Sequence, residues 1–264
     1  MKHFFFLILI SLTSYSQVTK VEYTFYKNLG YPVTQNWTLV FNNNESYFYK
    51  NSGTKESHAN QDKDVNNKHS KDNTISHNIN FKLDALSFYH LDFNKDSLYF
   101  QANVLEDLYI VNEQIPKLKW NIVDEFKIID NYKCQKATTS FRGRSYKAWF
   151  TTEIPTQTGP SKVNGLPGLI LNLVDEKSQV VLSALKVNFY HALDLKKEVE
   201  FIVPKGKPIS LKDFVPLSDN EIDEIIKRSR SKSNRNYTSS FIKSKTRHSL
   251  EISYEWEKEN GQED

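Results

Sequence analysis

A single cysteine, Cys134, in 264 residues removes any internal disulfide from the account of this fold, so its stability rests on a buried core. The one methionine is the initiator, which leaves nothing for a methionine-rich copper site. Charge of one sign is missing too. With 35 Lys and Arg against 32 Asp and Glu, no global field steers partners, and nucleic acid is excluded as a target. No Gly-x-Ser-x-Gly elbow occurs, which removes a common serine-hydrolase signature. Past the first dozen residues no apolar run approaches the roughly 20 residues of a membrane-crossing helix.

What is present begins with an address. Lys2 and His3, an apolar run from Phe4 to Leu12, and Ser14-Tyr15-Ser16 ahead of Gln17 follow the order of a secretory signal. The run is too short to span a bilayer, and no cysteine follows it to carry a lipid. The expectation is cleavage near Ser16/Gln17 and a periplasmic or secreted product that does not span the membrane. Residues 17–257 are expected to form one β-rich domain, and 258–264 a disordered tail.

Aromatic and β-branched residues recur near every second position over 21–26 and 37–41, the period of half-buried strands. Asn42-Asn43-Asn44 turns the chain and 46–50 returns it, predicting a hairpin. Residues 52–78 hold almost nothing apolar, cannot offset the entropy of ordering, and are expected to be a flexible polar insertion. Strand signals resume over 88–93, 98–104 and 108–111, and Pro116 closes the run. A second set covers 118–120, 126–129, 132–141 and 144–152. Arg142-Gly143 reads as a two-residue loop between tightly paired strands, which puts Ala137 opposite Ala148 and Thr139 opposite Tyr146. Further strands are expected over 169–174, 180–190 and 250–256.

Helical signals are few. Ser218 with Glu221 reads as a capping box, and Ile222, Ile225 and Ile226 follow at helical spacing, predicting about three turns. The sum is a mainly β protein: an antiparallel curved sheet or open barrel built from hairpins, with one or two short helices near the C-terminus.

Gly165-Leu166-Pro167-Gly168-Leu169-Ile170 is the most specific stretch. Pro167 fixes its own φ and Gly168 tolerates a positive one. The pair is therefore expected at the two central positions of a type II turn, ahead of a strand buried on both faces. Two uses stay open, a sharp structural corner or a nest of backbone donors for an anion. A phosphate loop is excluded, because no Lys-Ser or Lys-Thr pair follows the second glycine.

Together with Tyr132-Lys133-Cys134-Gln135-Lys136-Ala137, Gly143-Arg144, Ala148-Trp149-Phe150-Thr151, Glu153-Ile154-Pro155 and Gly159-Pro160, the hexapeptide resembles the signature of the GLPGLI family over residues 118–190. The resemblance implies an exported envelope protein of Gram-negative bacteria and brings no biochemical role with it. The insertion at 52–78 and the basic stretch after residue 226 lie outside it.

Arg144 offers a planar donor fork and Trp149 an apolar face with one donor. With Gly165, Pro167 and Gly168 they form the candidate ligand-binding set. The alternative is that Trp149 is core and Arg144 pairs with Glu153 or packs over a ring. Cys134 has no local histidine as a base, and His90 and His191 reach it only through the fold, so it reads as a small buried hydrophobe. His58, His69 and His77 lie 11 and 8 residues apart, whereas paired zinc ligands stand about two to five apart. No metal, cofactor or catalytic residue is assigned. Eight Lys or Arg and no acid between Lys227 and Arg247 offer either a solvated helix end or a contact for anionic lipid or an acidic partner face.

Three functions compete. A binding or carrier module for an apolar or amphipathic ligand, lipid or peptide, leads, because aromatics abound and catalytic motifs are missing. The others are a scaffold docking on an outer-membrane protein through 227–247, and a hydrolase whose acid and base lie on separate strands.

Overall fold

The computed structural model describes residues 17–51, 57–58, 86–191, 193–232, 247 and 249–259. The expected signal at 1–16, nearly all of the insertion at 52–78, with His69 and His77, and most of the tail lie outside the described residues. The first strands are β1 (Val18–Asn28), β2 (Pro32–Phe41), β3 (Glu45–Lys50), β4 (Ser57–His58), β5 (Phe88–Asp92), β6 (Ser97–Val104) and β7 (Asp107–Gln114). They are followed by β8 (Asn121–Ile129), β9 (Tyr132–Phe141), β10 (Arg144–Thr151), β11 (Leu169–Asp175), β12 (Val180–Tyr190) and β13 (Lys207–Ser210). Helices α1 (Leu195–Glu198), α2 (Leu211–Lys232) and α3 (Glu255–Glu259) complete the order.

All strands join one curved, unclosed sheet in the order β13-β7-β6-β5-β3-β2-β1-β12-β11-β10-β9-β8, with β4 also paired to β2. The mainly β, few-helix architecture is the expected one. One pairing departs from it: β13 runs parallel to β7, Lys207 beside Tyr109 through Ser210 beside Asn112. The β9–β10 hairpin has the register that its loop predicts, Ala137 opposite Ala148 and Thr139 opposite Tyr146. Arg142 and Gly143 both take positive φ, 44° and 83°, as a type I′ turn requires.

Strand alternation sorts side chains onto two faces. Val21, Tyr23 and Phe25 of β1 join Trp37, Leu39 and Phe41 of β2, Phe48 of β3, and Ala137, Ala148 and Phe150 of the hairpin in the main core. Ile154, Val163 and Leu166 enter the same core from the segment between β10 and β11. That segment lies over the inner face of the sheet: Thr158 Oγ1 donates to Ser46 Oγ at 2.7 Å, and beyond it the Tyr23 hydroxyl donates to the Ile170 carbonyl at 2.6 Å. On the other face Val18, Val40, Tyr49 and Phe88 sit beneath Leu195, Val199 and Ile202. Helix α2 sets Leu211, Phe214 and Val215 against Val104 and Val111.

Three expectations are corrected. The positive φ of the hexapeptide falls at Gly165 (90°) and not at Gly168, so Pro167-Gly168 is not the centre of a type II turn. Gly168 answers a different demand: a Cβ there would lie 2.1 Å from the Thr151 carbonyl oxygen, so the chain passes β10 too closely for any side chain. The 250–256 segment is not a strand. The Ile252 and Ser253 N–H groups both donate to the one Arg142 carbonyl, at 2.8 and 3.2 Å, which a ladder does not allow, and α3 starts at Glu255.

Helix α2 starts earlier than the Ser218 signal and runs 22 residues. Its box is Ser210 with Asp213: the Ser210 hydroxyl accepts the Asp213 N–H at 3.1 Å and donates to the Asp213 carboxylate at 2.6 Å. Pro216 lies inside the helix, where it removes one backbone bond. Packing of Phe214 and Val215 on the sheet holds the turn that the proline weakens. Glu221 caps nothing in its own helix and instead accepts the Leu105 N–H at 2.8 Å.

Candidate functional site

The five residues singled out by sequence occupy three separate places. Arg144 opens β10 on the inner face, where it is 6% exposed. Its guanidinium donates to Asp175 at 2.9 Å, Gln179 at 3.2 Å, and the carbonyls of Ser249 at 2.8 Å and Leu250 at 3.0 Å. The second Asp175 oxygen accepts the Val180 N–H at 2.8 Å, so the acid is committed as well. Glu153, the partner weighed for Arg144, accepts the Lys133 N–H instead, at 2.8 Å. Trp149 is an odd number of residues away and half-buried on the opposite face of β10, with the Lys127 ammonium 4.3 Å above its ring. In the hexapeptide, Gly165 and Pro167 are exposed and Gly168 is buried. A side chain at Gly165 would face the Trp120 indole at 3.8 Å, and that indole donates to the Asn164 carbonyl at 2.8 Å.

The hollow of the sheet is not open. Leu166, Leu169 and Ile170 are at most 2% exposed, and the segment that carries them fills the space that an open barrel would offer a ligand. To one side lies a cleft of about 750 Å³ between the linker after β7, the β9–β10 turn and the C-terminal segment. Ile115, Leu118 and Phe141 give it apolar walls, and Arg144 is the member of the sequence-derived set that lines it. Lys117 and Lys119 stand exposed in its lining, with no ion-pair partner among the described residues.

Beside the cleft four charges close a ring. Arg142 reaches Glu113 and Glu251 at 2.6 Å each, and Lys162 reaches the same two carboxylates at 2.5 and 3.0 Å. The four side chains are 6–12% exposed. Aromatic faces support both cations: Arg142 lies 4.9 Å from the Phe141 ring and 5.2 Å from Tyr254, and Lys162 lies 4.1 Å from Phe100. Burial pushes the Glu251 carboxyl up, but Lys162 and Arg142 together outweigh it and hold it below the ordinary carboxylate range.

Sequence reasoning missed this ring. Glu113, Arg142, Lys162 and Glu251 come from four places in the chain, and the one available signal was two charged residues, Arg142 and Lys162, in turns flanked by core segments.

Elsewhere, burial pushes the Cys134 thiol up to about 11, with Lys127 opposing the shift. His90 is buried against Tyr47, ring centroids 4.1 Å apart, with Nε2 3.1 Å from Glu45. Burial holds its pKa below the ordinary histidine value. Most side chains of the basic 227–247 stretch lie outside the described residues. Arg247, its last member, is bound to Asp219 and Glu257 at 2.5 Å each. Among the described residues no group of three or more His, Cys, Asp or Glu is placed to hold a metal, and no helix is long and apolar enough to cross a membrane.

The family profile described as "Protein of unknown function (Porph_ging)" matches residues 142–172, from the hairpin turn through the hexapeptide into β11. No curated protein matches the chain. Among solved structures the chain is similar to PNGF-II in its P21 and C2 crystal forms, each with a TM-score of 0.52 at 14% identity. That likeness covers 78% of this chain and 34% or 33% of PNGF-II, so the chain spans about a third of that protein. An uncharacterised conserved protein from Thermus thermophilus is similar with a TM-score of 0.38 at 7% identity, over 75% of this chain and 91% of that one. The likeness to PNGF-II is one of fold alone.

Proposed function

We propose that this chain is a non-enzymatic binding module of the cell envelope, and that the cleft beside Arg142 seats an anionic amphipathic ligand, a lipid or an acidic peptide. One observation carries the reading: apolar walls at Ile115, Leu118 and Phe141 share a cleft with Lys117 and Lys119, whose charges have no partner among the described residues. A volume of about 750 Å³ falls within the range of ligand sites, roughly 300–1,000 Å³. The export signal at 1–16 and the resemblance of 118–190 to the GLPGLI family supply the envelope address.

Catalysis fits these residues less well. Glu113 and Glu251 each lie between two cations, and Glu251 is held ionised, so it has no proton to deliver at neutral pH. The Cys134 thiol stays protonated there, which denies it nucleophilic character. The carrier reading changes location but not kind, because the inner face is filled by the chain's own 152–168 segment.

Native mass spectrometry of protein purified from its own envelope tests this. The expected result is a co-retained anionic lipid or peptide that the double variant Lys117→Glu/Lys119→Glu loses. Repeated ligand-free spectra, or a ligand that the variant keeps, would sink the proposal.

A further inference from the structure

The two ends of the sheet are finished differently. At one end β13 is four residues long, contains Pro208 and runs straight into α2. At the other, β8 is nine residues long and, among the described residues, pairs with β9 alone. An unpaired strand edge is a row of N–H and C=O groups ready to accept another strand, and proteins blunt such edges with bulges, charge or proline.

A bulge interrupts the first half of β8, whereas the second half carries one charge, Lys127. The register of β8 with β9 slips between Val123 and Phe126, so Asp124 and Glu125 bulge from the ladder, and Glu125 is tied to Lys136 at 2.8 Å. The second half pairs without a break, Phe126 with Gln135 through Ile129 with Tyr132, and has neither proline nor glycine.

The apolar side chains of β8 are exposed on one face. Ile122, Phe126 and Ile128 stand opposite Ala137, Gln135 and Lys133 of β9, and are 46%, 48% and 67% exposed. Lys127 lies between the last two and faces the other way, with its ammonium over Trp149. Lys133 sits over the Phe126 ring at 4.5 Å. Neither lysine has a carboxylate partner for its ammonium among the described residues.

We infer that the Phe126–Ile129 half of β8 takes up an extended strand of a partner protein, one with apolar residues beside Phe126 and Ile128 and an acidic residue opposite Lys127. Strand addition supplies main-chain hydrogen bonds, and alternate side chains supply the selection. The charges argue against a second copy of this chain as the occupant. A two-fold pair of β8 strands has to be centred on a residue. Centred on Lys127 it matches Phe126 with Ile128 twice but sets Lys127 against its own copy, and like charges directly opposite are destabilising. Centred on Phe126 it runs through the bulge, and centred on Ile128 it puts Phe126 opposite Asp130.

The test is hydrogen exchange on the mature chain with the synthetic peptide acetyl-Thr-Val-Glu-Val-Glu-Val-Thr-amide, and with the version in which both glutamates are lysine. The acidic peptide is expected to protect the amides of 126–129 and to bind about tenfold more tightly than the basic one, the preference reversing in Lys127→Glu. Ile128→Asp is expected to abolish binding with an unchanged melting temperature, since the side chain is exposed. No protection at 126–129, or a preference that Lys127→Glu leaves unchanged, would overturn the inference. So would a dimer of this chain, seen by sedimentation, that Ile128→Asp dissolves.

Discussion

Among the cations that lie against aromatic rings, four divide into two contrasting pairs. Arg142 and Lys162 are buried, and each bridges the same two carboxylates, Glu113 and Glu251. Lys127 and Lys133, on the last two strands of the sheet, rest on Trp149 and Phe126 with no carboxylate bound to either ammonium among the described residues. The first pair cannot be lost without stranding a charge in the interior, so it fixes how the segments meet. The second pair keeps its field for whatever approaches. Interior charge here specifies the fold, and edge charge is left available for recognition.

The strongest way to break that contrast is to unbalance the ring. Glu113→Ala leaves Lys162 with Glu251 alone and Arg142 with Glu251 and the exposed Glu255, and is expected to cost about 3–5 kcal/mol in urea unfolding. The double variant Glu113→Leu/Lys162→Leu is expected to lose less than the sum of its single changes, because the two groups act on each other. Next in size, Gly168→Ala places a methyl group against the Thr151 carbonyl and is expected to cost about 1–3 kcal/mol.

A third measurement uses pH. The folded pKa of Glu251 lies below its unfolded value, so its contribution is complete above the ordinary glutamate pKa of about 4.5. Below that the unfolded state binds the proton first, and the urea midpoint is expected to fall steadily as the pH drops through the folded pKa. Smallest of all, Lys133→Met at the edge is expected to change stability by no more than about 0.5 kcal/mol in the same assay. A loss there equal to that at Glu113 would erase the distinction between the two pairs.

The hairpin at 132–151 was legible in the sequence because its loop residues, Arg142-Gly143, dictate both turn type and register, and pairing follows locally. Elements that depend on remote partners were less so. Strand β13 pairs in parallel with β7 about a hundred residues earlier, and nothing local to Lys207–Ser210 announces it. The Ser218–Glu221 pair suggested a late helix start, whereas contacts with β6 and β7 carry α2 through Pro216.

At 250–256 the alternation of Ile252, Tyr254 and Trp256 imitates a strand. Arginines supply the actual fastening, since Arg142, Arg144 and Arg247 all bond to the segment. Arg144 was singled out as a ligand-binding candidate, and its partners, Asp175 and two carbonyls near residue 250, are visible only once the chain has folded.

The strap that these arginines hold has a consequence for the order in which the protein can mature. Glu251 is the last contributor to the ring, lying 138 residues after Glu113, so the ring cannot close until the polypeptide through that position has been delivered. A product cut short before Ser249 would leave Arg142 and Lys162 competing for Glu113. Premature termination ahead of this late segment is therefore expected to yield a loosened species that is cut more readily by proteases.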